Sequence, residues 1–399
     1  MSFKIKVIIC CIIGLIIVGA AGFGIHFLHT QNKDINIETP TDAATKTDAE
    51  PKAFSPHWKT ENGNKYYEIE EGKNATGWQT LYDHKYYFDN DGVMLTGWQN
   101  ILGKSYYFYD SGMLATGYRE IDGRPFVFDD NGQIVSKAGL VEKIDAVPEE
   151  DSSEHSLYGI GGYTPDSEDN IYINQALQKA KGNSSYQIGF VLINIYTGKG
   201  LAYNCDLDVY SASCIKGPYI ASLVSDQPEL IERQKNNMIQ ILMYSDNKLY
   251  SSYRRTYGRE HLKKWIGDLN IDEGFCTYNY PRISPRILSK LWVKNYFFFN
   301  TDDTGRSISS WYEQPNQSPV YTAIGAKKHT QSKAGWQNES KYASSNDGGI
   351  VYPDVSAGGC SAPYVIAICS NIPSNLESLE PLCLTLDQLA RKTDNNDPN

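Results

Sequence analysis

The stretch VYSASCIKGPY, residues 209–219, places Ser213 three residues before Lys216. A serine hydroxyl is a poor nucleophile at neutral pH until a base takes its proton. On a helix, a residue three positions on lies on the same face, one turn away. In an apolar pocket near other cations, a lysine loses enough pKa to act as that base. A helix N-terminus also favours negative charge developing at the serine. The pair does not settle the matter by itself: Ser245 and Lys248 have the same spacing, and a serine at a helix start also serves as a plain cap. Cys214, beside Ser213, has no histidine at a suggestive spacing and reads as a small buried thiol.

Two further elements follow in order. YSDN holds Ser245, Asp246 and Asn247 between two helical patterns. SKAGW holds Lys333, Ala334, Gly335 and Trp336 on an expected strand, followed by SSNDGGIVY and APYVIAI. Taken singly, Asn247 closes a turn and Lys333 is a solvated strand lysine. Taken together, the three resemble the S-x-x-K, S-D-N and K-T-G set of serine β-lactamases and penicillin-binding proteins. The resemblance covers about residues 163–392. It implies Ser213 as nucleophile, Lys216 as its base, Ser245 as proton relay and Asn247 as a group orienting Lys216 and the substrate amide. It further implies that Lys333 attracts a substrate carboxylate, and that the N–H groups of Ser213 and Trp336 form an oxyanion hole beside Ala334 and Gly335.

The sequence departs from that family in three places. Ala334 stands where a threonine or serine hydroxyl usually helps bind the substrate carboxylate. The stretch between Lys216 and Ser245 is short, so one wall of the cleft is reduced or rebuilt. The segment FCTYNYPRISPRIL has no carboxylate, so it cannot supply the glutamate that activates the deacylating water in class A β-lactamases. Efficient β-lactam hydrolysis is not expected.

The elements that position these residues read as an α+β domain. YQIGFVLINI is a buried strand and GLAYNCD its hairpin partner; GGIVY and PYVIAIC are later strands. Helical periodicity runs through PELIERQKNNMIQILMY, REHLKKWIGDL, SPRILSKLWVKNYFF and SNLESLEPLCLTLDQLARK. An antiparallel sheet packed with helices is the expectation.

Upstream lies a twenty-residue period. TGWQTLYDHKYYFDNDGVML, TGWQNILGKSYYFYDSGMLA and TGYREIDGRPFVFDDNGQIV begin at Thr76, Thr96 and Thr116, after a degenerate copy from Pro56. Trp58, Trp78, Trp98 and Tyr118 keep the register, as do the paired aromatics that include Tyr86 and Tyr106. Each unit reads as a short hairpin with a turn such as DNDG or YDSG. One hairpin cannot bury its aromatic face alone, so the units are expected to stack into an all-β solenoid. They resemble the cell-wall-binding repeats of Gram-positive surface proteins, the family of choline- and glucan-binding modules. That resemblance implies that Trp58, Trp78, Trp98, Tyr118, Tyr86 and Tyr106 face a wall ligand. Choline-binding members usually carry a tryptophan before the paired tyrosines, to complete a cation–π cage. Here Lys65, Lys85, Ser105 and Pro125 stand at that position, which favours a glycan or other wall polymer over choline.

Residues 7–28 carry no Asp, Glu, Lys or Arg and are long enough to cross a bilayer as a helix. Lys4 and Lys6 precede them, which orients the rest of the chain outward; a cleaved signal peptide is the alternative. The sequence therefore divides into an anchor (1–28), a disordered tether (29–55), repeats (56–138), a linker (139–162), the α+β domain (163–392) and a tail (393–399). The net charge of −10 argues against nucleic acid as a partner. Six cysteines fall in the C-terminal half; an exported domain can form disulfides, but their pairing is open. No Cys/His cluster suggests a metal, and no cofactor is implied.

The expected function is that of an exported, membrane-anchored serine acyl hydrolase, acting at the cell wall on peptidoglycan peptides as a D,D-carboxypeptidase-like enzyme, or on related amides and esters. The alternatives are a class A-like β-lactamase and a non-catalytic adhesin binding wall glycan or choline.

Overall fold

A computed structural model describes residues 54–394, apart from 123, 130, 150–154 and 353–361. The expected anchor, nearly all of the tether, and Cys360 lie outside the described residues. Among those described, no helix is long and apolar enough to cross a membrane.

The repeats form successive antiparallel hairpins, with Trp58 opposite Tyr67, Trp78 opposite Tyr87 and Trp98 opposite Tyr107. Their tight turns are not the DNDG and YDSG sequences. They are the two-residue pairs Asn62–Gly63, Tyr82–Asp83 and Leu102–Gly103, every one at positive φ. Positive φ at both central residues matches the right-handed twist of the flanking strands. DNDG instead turns the chain from one hairpin toward the next. The Asp89 carboxylate accepts from Asp91 N and Val93 N, and Asp89 N donates to Val93 O.

Stacking is carried by the tryptophans. Trp58 lies 5.2 Å from Tyr67 in its own hairpin, then 5.3 Å from Tyr86 and 5.9 Å from Phe88 in the next. Trp78 repeats this with Tyr87, Tyr106 and Phe108 at 5.1, 5.1 and 5.8 Å. Phe88, Phe108 and Phe128 are fully buried, so each hairpin is completed by its neighbour.

Helix α1, Lys137–Asp145, follows the last hairpin. It begins at the end of the expected repeats and runs mostly through the stretch expected to be linker, 139–162. Leu140, Val141 and Ile144 join the core of the following domain, and the Lys290–Asp145 ion pair at 2.8 Å ties the helix down. Strand β1, Leu157–Ile160, also lies in that stretch and pairs into the main sheet. Leu140, Val141 and Ile144 form an apolar stripe at i, i+1 and i+4, masked in the sequence by the polar residues that follow in VEKIDAVPEEDSSEHS. The expected tail is likewise packed at its start: Thr393 is buried, and Asn194 Nδ2 donates to Thr393 Oγ1 and Asp394 Oδ1.

After helix α2 (Ser167–Lys181) come β2 (Ile188–Asn194) and β3 (Gly200–Tyr203). Helices α3 (Lys216–Asp226), α4 (Leu230–Met243), α5 (Asn247–Tyr257), α6 (Glu260–Ile266) and α7 (Pro285–Thr301) fill the middle. Strands β4 (Thr330–Gln337), β5 (Ser344–Val351) and β6 (Tyr364–Ser370) precede the long C-terminal helix α8 (Glu380–Ala390). The six strands form one antiparallel sheet in the order β1-β3-β2-β6-β5-β4.

The sheet is buried on both faces, which explains why β2 and β6 read as unbroken apolar runs rather than as alternating ones. Phe190, Leu192, Ile366 and Ile368 face α2 and α8. Val191, Ile193, Val365 and Ala367 face α3 and α7. This is the expected α+β domain, with helices on both faces of the sheet.

Candidate active site

Ser211 hands the chain from a short strand pair, Val209–Tyr210 with Arg282–Ile283, into a 3-10 turn at Ala212–Ile215. Ser213 sits inside that turn, and Lys216 is the first residue of α3. Ala212 has φ +46°, a left-handed conformation that costs a non-glycine residue free energy and persists only where its surroundings fix it. They do so here. Asn346 on β5 donates to Tyr210 O at 2.8 Å and Ser211 O at 3.2 Å, and accepts from Ser370 N on β6.

Gly335, paired with Asn346 in the sheet, makes the other close approach. A Cβ there would lie 2.3 Å from Cys214 N, 2.4 Å from Ser213 N and 2.7 Å from Ser211 O. All three are backbone atoms that cannot swing aside. Gly335→Ala is therefore expected to destabilise the domain by about 1–3 kcal/mol and to displace the Ser213 turn. Urea denaturation checks the first effect, and labelling of Ser213 by an acylating inhibitor checks the second.

Lys216 is fully buried. Its Nζ donates to Ser245 O at 2.7 Å and Asn247 Oδ1 at 2.6 Å. Among the described residues, no hydrogen bond joins it to Ser213 Oγ. It lies 5.4 Å over the Tyr250 ring and 5.9 Å over that of Tyr280. Burial, then the charge of Lys333, lower its pKa to about 7, against a small opposing pull from Asp246. A neutral amine has two N–H donors and one lone pair. The two acceptors use both donors and leave the lone pair for a proton.

Ser245 and Asn247 flank Asp246, whose side chain caps α5 by accepting from Lys248 N and Leu249 N. Ser245 has φ +60°, a second strained position beside Lys216. Its hydroxyl accepts from Lys333 Nζ at 3.1 Å. Lys333 also donates to Ala334 O and lies 6.0 Å from the Trp336 ring. Burial holds Lys333 at about 8, with Asp347 pulling the other way. Ala334 is fully buried and supplies no hydroxyl.

Lys216, Ser245, Asn247 and Lys333 thus form one hydrogen-bonded group, and Gly335 and Asn346 hold the Ser213 turn against it. Three contributors were not read from the sequence. Tyr280 donates to Asn247 Oδ1 at 3.1 Å and packs toward Lys216. Its segment has the place where a glutamate was sought, and Arg254 pins it by donating to Asn279 Oδ1, Cys276 O and Tyr278 O. Asn346 and Asp347 lie in SSNDGGIVY, read only as a strand. The Asp347 carboxylate accepts from Ser318 Oγ and Val320 N, and burial raises its pKa to about 7.

Burial pushes the Cys214 thiol well above its ordinary range, in keeping with a packing role. Cys205, Cys276, Cys369 and Cys383 are also buried free thiols, so the described cysteines form no disulfide. Beyond Trp336, a cavity of about 590 Å³ is lined by Asn316, Ser318, Asn375, Glu377 and Glu380. Among the described residues, no group of His, Cys, Asp and Glu is arranged to hold a metal ion.

In the repeats, Trp58 and Tyr86 line one cavity, and Trp78 and Tyr106 line another. Trp98 is partly exposed against Phe126 at 4.8 Å. The side chain of Tyr118 lies outside what the structure describes.

Residues 75–116 match the family described as a choline-binding repeat. No curated protein matches the sequence. Among solved structures, choline-binding protein F from Streptococcus pneumoniae is 37% identical over 19% of this chain and 26% of its own, with a TM-score of 0.19. The chain thus spans about a quarter of the length of that protein. A structure described as PBP-A is 18% identical over 56% of this chain and 96% of its own, with a TM-score of 0.45. A β-lactamase from Desulfarculus baarsii is 12% identical over 56% and 98%, with a TM-score of 0.44.

Proposed function

We propose that this chain is an exported, membrane-anchored serine acyl hydrolase that works at the cell wall through an acyl-enzyme on Ser213. Its substrates are peptidoglycan peptides, cleaved in the manner of a D,D-carboxypeptidase, or related amides and esters. The repeats hold the enzyme on the wall. The observation that carries this reading is the buried lysine pair, with Lys216 bonded to Ser245 O and Asn247 Oδ1 and Lys333 to Ser245 Oγ. Burying two cations this close costs free energy, and a lowered lysine pKa is what a general base for serine requires.

In this reading the steps run as follows. Neutral Lys216 takes the Ser213 proton as Oγ attacks the carbonyl carbon. The oxyanion is met by the N–H groups of Ser213 and Trp336. The proton returns through Ser245, which Lys333 orients, to the leaving amine or alcohol. Water then cleaves the ester and restores Ser213. Lys333 carries the charge that draws in a substrate carboxylate. With Ala334 in place of a hydroxyl-bearing residue, that carboxylate has one donor fewer. With Tyr280 and no carboxylate on the neighbouring segment, deacylation is slow.

The test is intact-mass analysis of the full-length protein in detergent after brief exposure to benzylpenicillin. A lasting adduct of the drug's mass is expected. Drug consumption without an adduct would mean a working β-lactamase. Neither adduct nor consumption, with wall glycan still bound by the repeats, would favour the adhesin.

A further inference from the structure

The two repeat cavities are built from the same positions, one period apart. The first is lined by Trp58, Lys59, Thr60, Lys65, Tyr86 and Ser111. The second is lined by Trp78, Gln79, Thr80, Lys85, Tyr106, Asn131 and Gln133. Adding twenty to Trp58, Thr60, Lys65, Tyr86 and Ser111 gives Trp78, Thr80, Lys85, Tyr106 and Asn131. The volumes, about 310 and 360 Å³, are large enough for a sugar ring with a substituent.

Each cavity joins three kinds of wall. An indole and a phenol from successive hairpins stand edge to face, 5.3 Å apart in the first and 5.1 Å in the second. A threonine offers a hydroxyl. A lysine, exposed at Lys65 and Lys85, brings a positive charge. Among the described residues, no carboxylate lines either cavity. At the next register, Ser105 stands where the lysine would be.

A quaternary ammonium suits a cavity walled by aromatic rings alone. An ammonium in the wall repels it. The same ammonium attracts an anion, while the aromatic faces and the threonine suit the CH and OH groups of a sugar. We infer that the cavities at Trp58/Lys65/Tyr86 and Trp78/Lys85/Tyr106 bind an anionic glycan, with a sugar ring on each tryptophan and a carboxylate or phosphate at each lysine. Two such cavities one repeat apart bind a polymer with charges at regular intervals more tightly than either binds a single unit. This inference rests on the repeats as a wall-binding module and is independent of the serine chemistry.

The experiment is titration calorimetry on the full-length protein in detergent, with four probes. Polygalacturonate supplies a ring carboxylate and glucosylated poly(glycerol phosphate) supplies a phosphate. Neutral dextran and choline chloride are the comparators. Binding of at least one anionic polymer is expected, weakening as salt rises; which of the two binds identifies the anion. Lys65→Ala with Lys85→Ala should weaken it by about tenfold or more, and Lys65→Arg with Lys85→Arg should retain it. Both lysines are exposed, so these variants keep the fold, and an unchanged urea unfolding midpoint checks that they do. Binding of choline chloride, binding of dextran as tight as that of the anions, or indifference to the alanine pair would each overturn the inference.

Discussion

Replacing Ser213 with alanine is expected to abolish the penicillin adduct and to lower acylation of any substrate by about 10⁴-fold or more, the scale on which removal of a nucleophile acts. The prediction discriminates because a second serine lies close by with the same three-residue spacing to a lysine. Ser245 and Lys248 do not form a working pair. Lys248 is exposed on the first turn of α5, and the Ser245 hydroxyl is held by Lys333 instead. Three residues after Ser213 comes a fully buried lysine whose donors are taken by Ser245 O and Asn247 Oδ1. Ser245→Ala should therefore still form the adduct, at a reduced rate, while Ser213→Ala should form none. Adduct retained in Ser213→Ala and lost in Ser245→Ala would invert the assignment. Removing one hydroxyl leaves the Asn346 bonds to Tyr210 O and Ser211 O in place, so Ser213→Ala should unfold at the same urea concentration as the parent.

How legible the fold and site are in the sequence depends on the range of the interaction that creates each part. The buried strands Ile188–Asn194 and Tyr364–Ser370 are legible because both faces of the sheet are covered, leaving plain apolar runs. The repeats are legible because one packing solution recurs every twenty residues. Their hairpin turns are harder to read. Tyr82–Asp83 and Leu102–Gly103 take positive φ largely without the Asn-Gly signature, whereas DNDG advertises a turn that serves a different link. Helix α2 carries a local signature of its own: Asp166 and Asp169 form a reciprocal capping box, and Ile173, Ala176, Leu177 and Ala180 make its buried stripe. The motif residues Ser213, Lys216, Ser245, Asn247 and Lys333 stand out by type and order. The residues that hold them do not. Asn346 matters because β5 pairs with β4 opposite Gly335, and Tyr280 because Arg254 gathers its segment from another helix. Neither fact leaves a local pattern.

Acylation is expected to follow a narrow bell in pH, rising through about 7 and falling above about 8. The signs follow from which form each lysine must hold. Lys216 acts as a base only when neutral, so the rate grows as pH rises through its pKa of about 7, set by burial first and the charge of Lys333 second. Lys333 must stay charged to orient Ser245 and attract a carboxylate, so the rate declines as pH rises through its value of about 8, lowered by burial. The two limbs are coupled. Lys333→Met removes the cation that helps depress Lys216, so the rising limb should move to higher pH while the falling limb disappears. Lys216→Arg keeps a positive charge but cannot release a proton near neutrality, and it should lower acylation by about 10²–10⁴-fold, the usual worth of a general base. Stopped-flow acylation by a chromogenic cephalosporin, measured across about pH 5 to 10 to bracket both limbs, reads these effects directly. A rising limb that stays in place in Lys333→Met would show that the two lysines do not share a field. A Lys216→Arg protein as fast as the parent would remove Lys216 as the base and leave the Ser213 proton to be taken by solvent.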